Sequence, residues 1–325
     1  MNITVIGCGR WGSFLTWYLD RMGHQVTLYG RPDSPHMAKF LAARSNGVVT
    51  LPPRVRLSTS LEAAVQEAQA LVISIGSQNL RGLMAQLGPL LKPPLDVVLC
   101  MKGLEMETGL RLSQIAGQYL PAAIPVSVWL GPGHVQEFLA GIPNCMVIDS
   151  LDEAAKDRLI QAFRGDLIRF YYGQDLLGNE VGAAAKNVIG IAAGMLDGLD
   201  RTNLKGALMS RGTREIALLI AAMGGSEQSA YGLCHLGGLP GHGVFPLQPQ
   251  PLLWGSHGEK AALSKAGRGL LYGKGPPVPG GTLRGGAAHL RRGGGGALPG
   301  RGPHGTPGPA VYPVPEKGVL THAHL

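Results

Sequence analysis

Within its first 29 residues the chain runs strand, glycine turn, helix, strand, and few folds accommodate that order. Residues 2–6 alternate and are β-branched, as a buried strand would be, and pass directly into Gly7-Cys8-Gly9-Arg10-Trp11-Gly12. Phe14, Leu15, Tyr18, Leu19 and Met22 then recur at helical spacing, Gly23 marks a stop, and residues 25–29 read as a second strand. G-x-G-x-x-G alone is usually just a turn. Between a strand and a helix it is a dinucleotide-binding fingerprint. Gly7 permits the tight turn, Gly9 lets backbone approach a pyrophosphate, Gly12 packs helix on strand, and the helix N-terminus faces the phosphates.

The end of the second strand bears on which dinucleotide binds. An acid there would bond the ribose 2′-hydroxyl of NAD. This chain has Tyr29-Gly30-Arg31, and an arginine accommodates the 2′-phosphate of NADP. Asp33 lies close by, so NAD is not excluded and the expectation is NADP or NAD, with NADPH favoured.

Further strand-like runs cover 70–75, 97–101, 126–130, 145–148 and 167–171, with helical patterns between several of them. Alternation of this kind predicts an α/β architecture, a mostly parallel, doubly wound sheet. From about residue 177 the strands stop, and 179–199 and 204–223 read as two long helices. The expected organisation is a dinucleotide-binding domain over 1–178, the start of a helical substrate domain over 179–237, and a tail over 238–325 of a different kind.

Three segments break the local pattern. Met101-Lys102-Gly103-Leu104-Glu105 follows a buried run, where open α/β sheets bind their ligands, so Lys102 can meet a phosphate or a carbonyl; a surface lysine capping the strand is the plainer alternative. Leu130-Gly131-Pro132-Gly133-His134-Val135 leaves backbone amides free at a helix start, as an anion cradle would, and His134 there is more readily a solvated loop residue than a general acid. On the Gly- and Ala-rich helix that follows, Lys186 and Asn187 are the only polar residues between Glu180 and Asp197. A lysine so placed is desolvated, which lowers its pKa and suits it to proton transfer, unless it snorkels to water. Ser210-Arg211-Gly212-Thr213-Arg214-Glu215 adds cations that a structural ion pair explains equally well.

Charge separates the tail from the body. The whole chain of 325 residues carries a net charge of +8, yet residues 1–236 hold 20 Lys and Arg against 19 Asp and Glu, while 237–325 hold 9 against 2. The latter segment also contains 23 of the 50 glycines and 13 of the 24 prolines, with no Asp, Asn, Ile or Met. The body's apolar pattern excludes wholesale disorder. No apolar run approaches the ~20 residues of a membrane span, and the start lacks a basic region and cleavage site, so no signal peptide is expected. Cys8, Cys100, Cys145 and Cys234 have no metal-ligand spacing, so no metal is expected and a reduced, cytoplasmic setting is.

Taken together, these motifs resemble the bacterial NAD(P)-dependent glycerol-3-phosphate dehydrogenases over residues 1 to about 237. That family shows G-x-G-x-W/Y-G, then K-G-x-E, then G-P-[ST]-x-A-x-E, then E-x-x-x-x-x-K-N-V-x-x-I-x-x-G, then A-L-x-x-R-G-x-x-E, in this order. The resemblance implies a two-domain oxidoreductase, a Rossmann-type sheet followed by an all-helical domain, that reduces dihydroxyacetone phosphate to sn-glycerol 3-phosphate for glycerophospholipid synthesis. It further implies that Arg10 and Trp11 border the cofactor, Arg31 meets its adenosine ribose, and Val135 lies against it. Lys102 would touch cofactor and substrate, Gly131 and Gly133 the substrate, and Lys186 would be the catalytic proton acceptor. Gly133 departs from the family's Ser/Thr, and Val135 from its usual Ala. A small-molecule substrate, no nucleic acid and a possible homodimer complete the expectation.

The family continues after Gly237 with an Asp and a loop containing S-x-N-R, and this chain does not. Its Gly/Pro composition resembles a disordered linker. A one-base change of reading frame near codon 238, with synonymous bases chosen freely, permits DYQATVFSPYSHNR, one ambiguous residue and YGE from residues 238–255, which restores both features. A frameshifted C-terminus is therefore the expectation, with loss of activity as written. Two other readings compete. One is a different reductase of ketoacids or hydroxyacids built on the same plan. The other is a nucleotide-sensing protein whose basic tail binds nucleic acid; salt-sensitive binding lost on tail deletion would mark it.

Overall fold

Eight short strands pair into one sheet in a computed structural model that describes residues 1–238. In chain order the elements are β1 (Asn2–Ile6), α1 (Arg10–Arg21), β2 (Gln25–Tyr29), α2 (Pro35–Ala43), β3 (Arg56–Ser58), α3 (Leu61–Val65), β4 (Ala70–Ile73) and α4 (Leu80–Leu87). They continue with β5 (Asp96–Leu99), α5 (Leu112–Gly117), β6 (Val126–Leu130), α6 (Val135–Leu139), β7 (Asn144–Ser150), α7 (Glu153–Phe163) and β8 (Ile168–Tyr172). Two long helices end the described chain, α8 (Leu176–Gly198) and α9 (Thr202–Ala222), followed by a 3₁₀ turn at Glu227–Tyr231. The reading of the tail, whether linker or frameshift, lies outside the described residues.

The sheet order is β3-β2-β1-β4-β5-β6-β7-β8, parallel throughout except that β6 and β7 run antiparallel. The chain winds outward from β1 to β3, then returns to place β4 on the other side of β1. That reversal opens a crevice beyond the carboxyl ends of β1 and β4, where open α/β sheets take their ligands.

The strands are apolar on both faces because helices cover both. Ile3, Val5, Val72, Val98 and Trp129 point into one layer; Ile6, Leu71, Ile73, Val97, Leu99, Val128 and Leu130 point into the other. The first layer is aromatic at its centre. Trp129 packs against Phe170, Phe163 and Tyr18 with ring centroids 5.0, 5.5 and 6.1 Å away, and its indole N–H donates to Met146 Sδ at 3.1 Å.

The structure differs from the sequence pattern at several ends. β4 stops at Ile73 rather than at residue 75; Ser74 still donates its N–H to Ile6 O at 2.8 Å, and its carbonyl lies against Gly7. β3 is three residues of Arg-Leu-Ser, too short and polar to show a period. α8 starts three residues before the expected 179, since the Asp175 carboxylate caps it by accepting from Gly178 N at 2.9 Å. Replacing Trp129 by Ala removes the centre of the aromatic layer, and we expect a loss of about 3–5 kcal/mol in chemical denaturation; a loss below about 1 kcal/mol would contradict this packing.

Candidate active site

The glycine turn between β1 and α1 closes on itself by contact. A Cβ at Gly7, whose φ is +113°, would stand 2.1 Å from the Ser74 carbonyl oxygen of the neighbouring strand end. One at Gly12 would stand 1.9 Å from the Gly7 carbonyl oxygen, so α1 lies directly on the turn. Gly9, the N-cap of α1, has ordinary extended backbone with φ −71°, and a Cβ there would meet nothing within 4 Å. Two of the glycines are thus required by the protein's own atoms. The third faces open space before the first-turn amides of a 12-residue helix, a cradle that fits a dinucleotide's pyrophosphate. At the end of β2, Arg31 and Asp33 are exposed and 3.5 Å apart, so the cation and the acid weighed for coenzyme choice face each other.

Trp11 and Gly133 belong to one aromatic contact. Trp11 and Phe14 pack on Phe138, the latter pair stacked at 5.0 Å, and a Cβ at Gly133 would stand 2.6 Å from the Phe138 ring. The departure from Ser/Thr at 133 therefore has a steric reason: the stacked Phe138 occupies the room a side chain would need. α6 has five residues and begins at Val135 with His134 as N-cap; the Val135 side chain is buried in the core rather than facing the crevice. Gly131 is held at φ +133° with its α-carbon side against Met146.

α8 carries Lys186 into the interior, where it is 1% exposed. Two polar anchors hold the start of that helix. Asn179 donates to the buried Asp149 of β7 at 2.8 Å, an acid also reached by Asp175 N at 3.1 Å and Lys156 Nζ at 3.5 Å. Glu180 accepts from Arg111 Nη1 at 2.6 Å and from Ser113 N and Oγ at 2.9 and 2.5 Å.

Midway along α8 the structure places the Lys186 amine beside that of Lys102, near enough for hydrogen bonding to act between them. Two ammonium groups this close repel, so the doubly charged pair is disfavoured. Burial, then the charge of Lys102 and the bond to it, pull Lys186 down to about 7. Lys102 is lowered too, by burial, while its bond to Lys186 acts in the opposite sense. Cys234 packs beside them, but burial pushes its thiol up to about 12, so it supplies no counter-charge at neutral pH. His235 Nδ1 lies 3.0 Å from the Gly182 carbonyl, which can only accept, so Nδ1 carries the proton; Nε2 is buried and without a partner among the described residues. Gly238 lies against the amine itself, where a Cβ would stand 2.2 Å from Lys186 Nζ.

Several of these groups are silent in sequence. Asp149, Lys156, Cys234, His235 and Phe138 lie in segments with no motif of their own. Arg111 and Ser113 sit in an unremarkable loop, though Glu180 stands within the stretch that carries Lys186. The 210–215 cations take no part: Arg214 pairs with Glu227 at 2.6 Å and Arg211 is exposed. Among the described residues no group of His, Cys, Asp and Glu could hold a metal ion, and no helix is long and apolar enough to cross a membrane.

With this geometry in place, comparison with known proteins is specific. Residues 2–156 match the NAD-dependent glycerol-3-phosphate dehydrogenase N-terminal family, and residues 175–240 match its C-terminal counterpart. A glycerol-3-phosphate dehydrogenase (NAD(P)+) of Janthinobacterium sp. (strain Marseille) is 39% identical over 247 residues, 74% of this chain and 73% of that protein. One from Bradyrhizobium sp. (strain ORS 278) is 33% identical over 286 residues, 87% of this chain and 82% of that protein. The crystal structure of glycerol-3-phosphate dehydrogenase from Coxiella burnetii superposes with a TM-score of 0.69 at 27% identity, covering 74% of each chain. The chain belongs to the NAD-dependent glycerol-3-phosphate dehydrogenase family.

The three glycines make separable expectations. Gly9→Ala should keep the parent melting temperature and weaken NADPH binding roughly tenfold or more, because its methyl enters only the open cradle. Gly12→Ala should lower both. Fluorescence titration and thermal melting check this, and equal destabilisation by the two substitutions would contradict it.

Proposed function

We propose that this protein reduces the ketone of dihydroxyacetone phosphate to the secondary alcohol of sn-glycerol 3-phosphate, and catalyses the reverse, in the cytoplasm, with Lys186 as the acid–base group. One observation carries the proposal: a lysine whose pKa burial, and then a neighbouring lysine, bring down to about 7, on the first helix beyond a dinucleotide-binding sheet. When bound, the dinucleotide supplies or takes the hydride. The turn of Gly7, Gly9 and Gly12 and the first-turn amides of α1 would hold its pyrophosphate, with Arg10 and Trp11 alongside and Arg31 at the adenosine ribose. Family membership supports NADP or NAD, and Arg31 favours NADPH.

Lys186 in its ammonium form hydrogen-bonds the ketone oxygen, polarises it, and gives up a proton from Nζ as the oxygen gains charge. In the oxidative direction the neutral amine accepts the hydroxyl proton. Lys102 keeps a positive charge beside the reacting oxygen and lowers the cost of deprotonating Lys186. The substrate's phosphate is assigned to the Gly131–Gly133 backbone, and Val135 contributes its backbone to the cofactor side, since its side chain is in the core.

Position 238 bears on the tail. It is where the changed reading frame restores an aspartate, and it is also where a side chain would meet Lys186 Nζ. The flexible end of a lysine can yield to a carboxylate, which would favour the ammonium form. Leu204 and Leu218 on α9, and Leu199 and Met223 at the ends of α8 and α9, stand exposed, apolar surface that a longer helical domain would cover. We therefore assign full turnover to the chain with its frame restored after Gly237, and weak or absent turnover to the chain as written.

In the restored chain Lys186→Ala should reduce kcat by about 10²–10⁴-fold and leave NADPH affinity within a few-fold. Because the acid is needed for reduction and the base for oxidation, reduction should fall and oxidation should rise as pH climbs through the lysine's pKa. That pKa is about 7 in the chain as written and higher once an acid occupies 238. Activity within threefold of the parent, or limbs of the opposite sign, would rule Lys186 out. Arg31→Ala should raise the Kd for NADPH more than that for NADH; equal changes would remove Arg31 from coenzyme selection.

A further inference from the structure

We propose that Glu180, through Arg111 and Ser113, presses the Lys102-bearing loop and the Lys186-bearing helix together, and is thereby a positioning residue for the two-lysine pair. The inference rests on the reading of Lys186 as the acid–base group, but its physical content is the distance between two amines.

The clamp has a continuous path. On one side Glu180 and Lys186 share a helix, six residues and roughly 9 Å apart along its axis, so the carboxylate and the amine move as one body. On the other side Arg111 is the N-cap of α5, and its backbone pairs with Leu104 as an isolated antiparallel bridge, two residues beyond Lys102. The loop between them has little freedom. Glu105 accepts two bonds from Arg81 at 2.7 and 2.8 Å and one from Thr108 at 2.5 Å. Gly103 sits at φ +136°, where a Cβ would come within 3.0 Å of Ser77 Oγ. Lys102 thus rides at one end of a braced arm whose other end is fixed to α8 by the Glu180 carboxylate.

The carboxylate is suited to this task. Its side chain is 4% exposed and Arg111's is 15%, so the pair is little screened by water. Three donors from α5 and its cap converge on the two oxygens, and such charge-assisted bonds are short and directional. The force they oppose is present as well, since two lysines in contact repel whenever both are charged. Without the clamp, the loop and the helix can relax apart.

The groups acting on Lys186 are Lys102, from the loop after β5, and Cys234, from the segment after the 3₁₀ turn. His235 of that segment feels the lysine's charge in return. The β7 carboxylate, Asp149, is engaged by Lys156, Asn179 and Asp175 N. Glu180 and Arg111 carry opposite charges, so removing both leaves the net charge around Lys186 unchanged and isolates the effect of position.

The test is the titration of the Lys186 amine in the full chain, followed by the Nζ chemical shift in ¹⁵N-lysine-labelled protein. The signal is assigned by its loss in Lys186→Met. The parent midpoint is expected near about 7. In the double variant Glu180→Met, Arg111→Met it should move up by about one pH unit or more, a tenfold change in the acid constant, as Lys102 recedes. An apolar exchange of both partners is the form of a buried ion pair's removal that folds best. A folded double variant with an unmoved midpoint would overturn the proposal and leave the clamp a structural pair. Should the double variant fail to fold, Ser113→Ala decides: it deletes one hydroxyl bond and keeps the ion pair, and an upward displacement supports the clamp while an unmoved midpoint overturns it. Turnover does not enter this readout, so an inactive frame-restored protein would count against the proposed function and leave the titration interpretable.

Discussion

The structure depends on one unfavourable meeting, two lysine side chains brought together inside the protein. Neither burial nor like charge favours it, so the surrounding fold must hold it in place. α8 begins with a capped first turn, and its next residues are bonded to β7 through Asn179 and Asp149 and to α5 through Glu180, Arg111 and Ser113. The burial of Lys186, with this contact added, has a chemical consequence: an amine that can exist in either protonation state near neutral pH. The sheet does the rest of the positioning. Its reversal between β1 and β4 opens the crevice, and the loop after β5, which carries Lys102, leads from the carboxyl end of the strand next to β4.

Much of this was legible in sequence because local pattern and fold agree. The order strand, Gly7-x-Gly9-x-x-Gly12, helix, strand has few structural solutions, and the contacts of Gly7 and Gly12 show why glycine is required there. Lys186 stood out as a charge on an otherwise apolar helix face. What stayed hidden depends on distance in the chain. Glu180 and Arg111 are 69 residues apart, and no periodicity connects a carboxylate on a long helix to the cap of a short one. β3 is too brief to show alternation. The exchange of a hydroxyl for glycine at 133 is visible in sequence, but its cause, the Phe138 ring stacked on Phe14, is a property of packing.

Position 238 joins the chemistry to the proposed change of reading frame. The residues that lead to it lie over Lys186, with His235 bonded to the helix four residues before the lysine and Gly238 against its amine. A carboxylate at 238 would be the natural counter-charge for the protonated donor. In its absence the lysine has a second lysine and a neutral thiol for company, which favours the free amine. The sequence as it stands thus describes a lysine of lowered basicity, and the proposed frame change would give one more readily protonated.

The most direct measurement follows a single hydrogen. With NADPH carrying deuterium on the transferred position of the nicotinamide, the frame-restored protein and dihydroxyacetone phosphate should yield glycerol 3-phosphate with one deuterium at C2, and Lys186→Met should abolish the label. Absence of label at C2, with transfer instead to the carbonyl carbon of a ketoacid offered in parallel, would contradict the account.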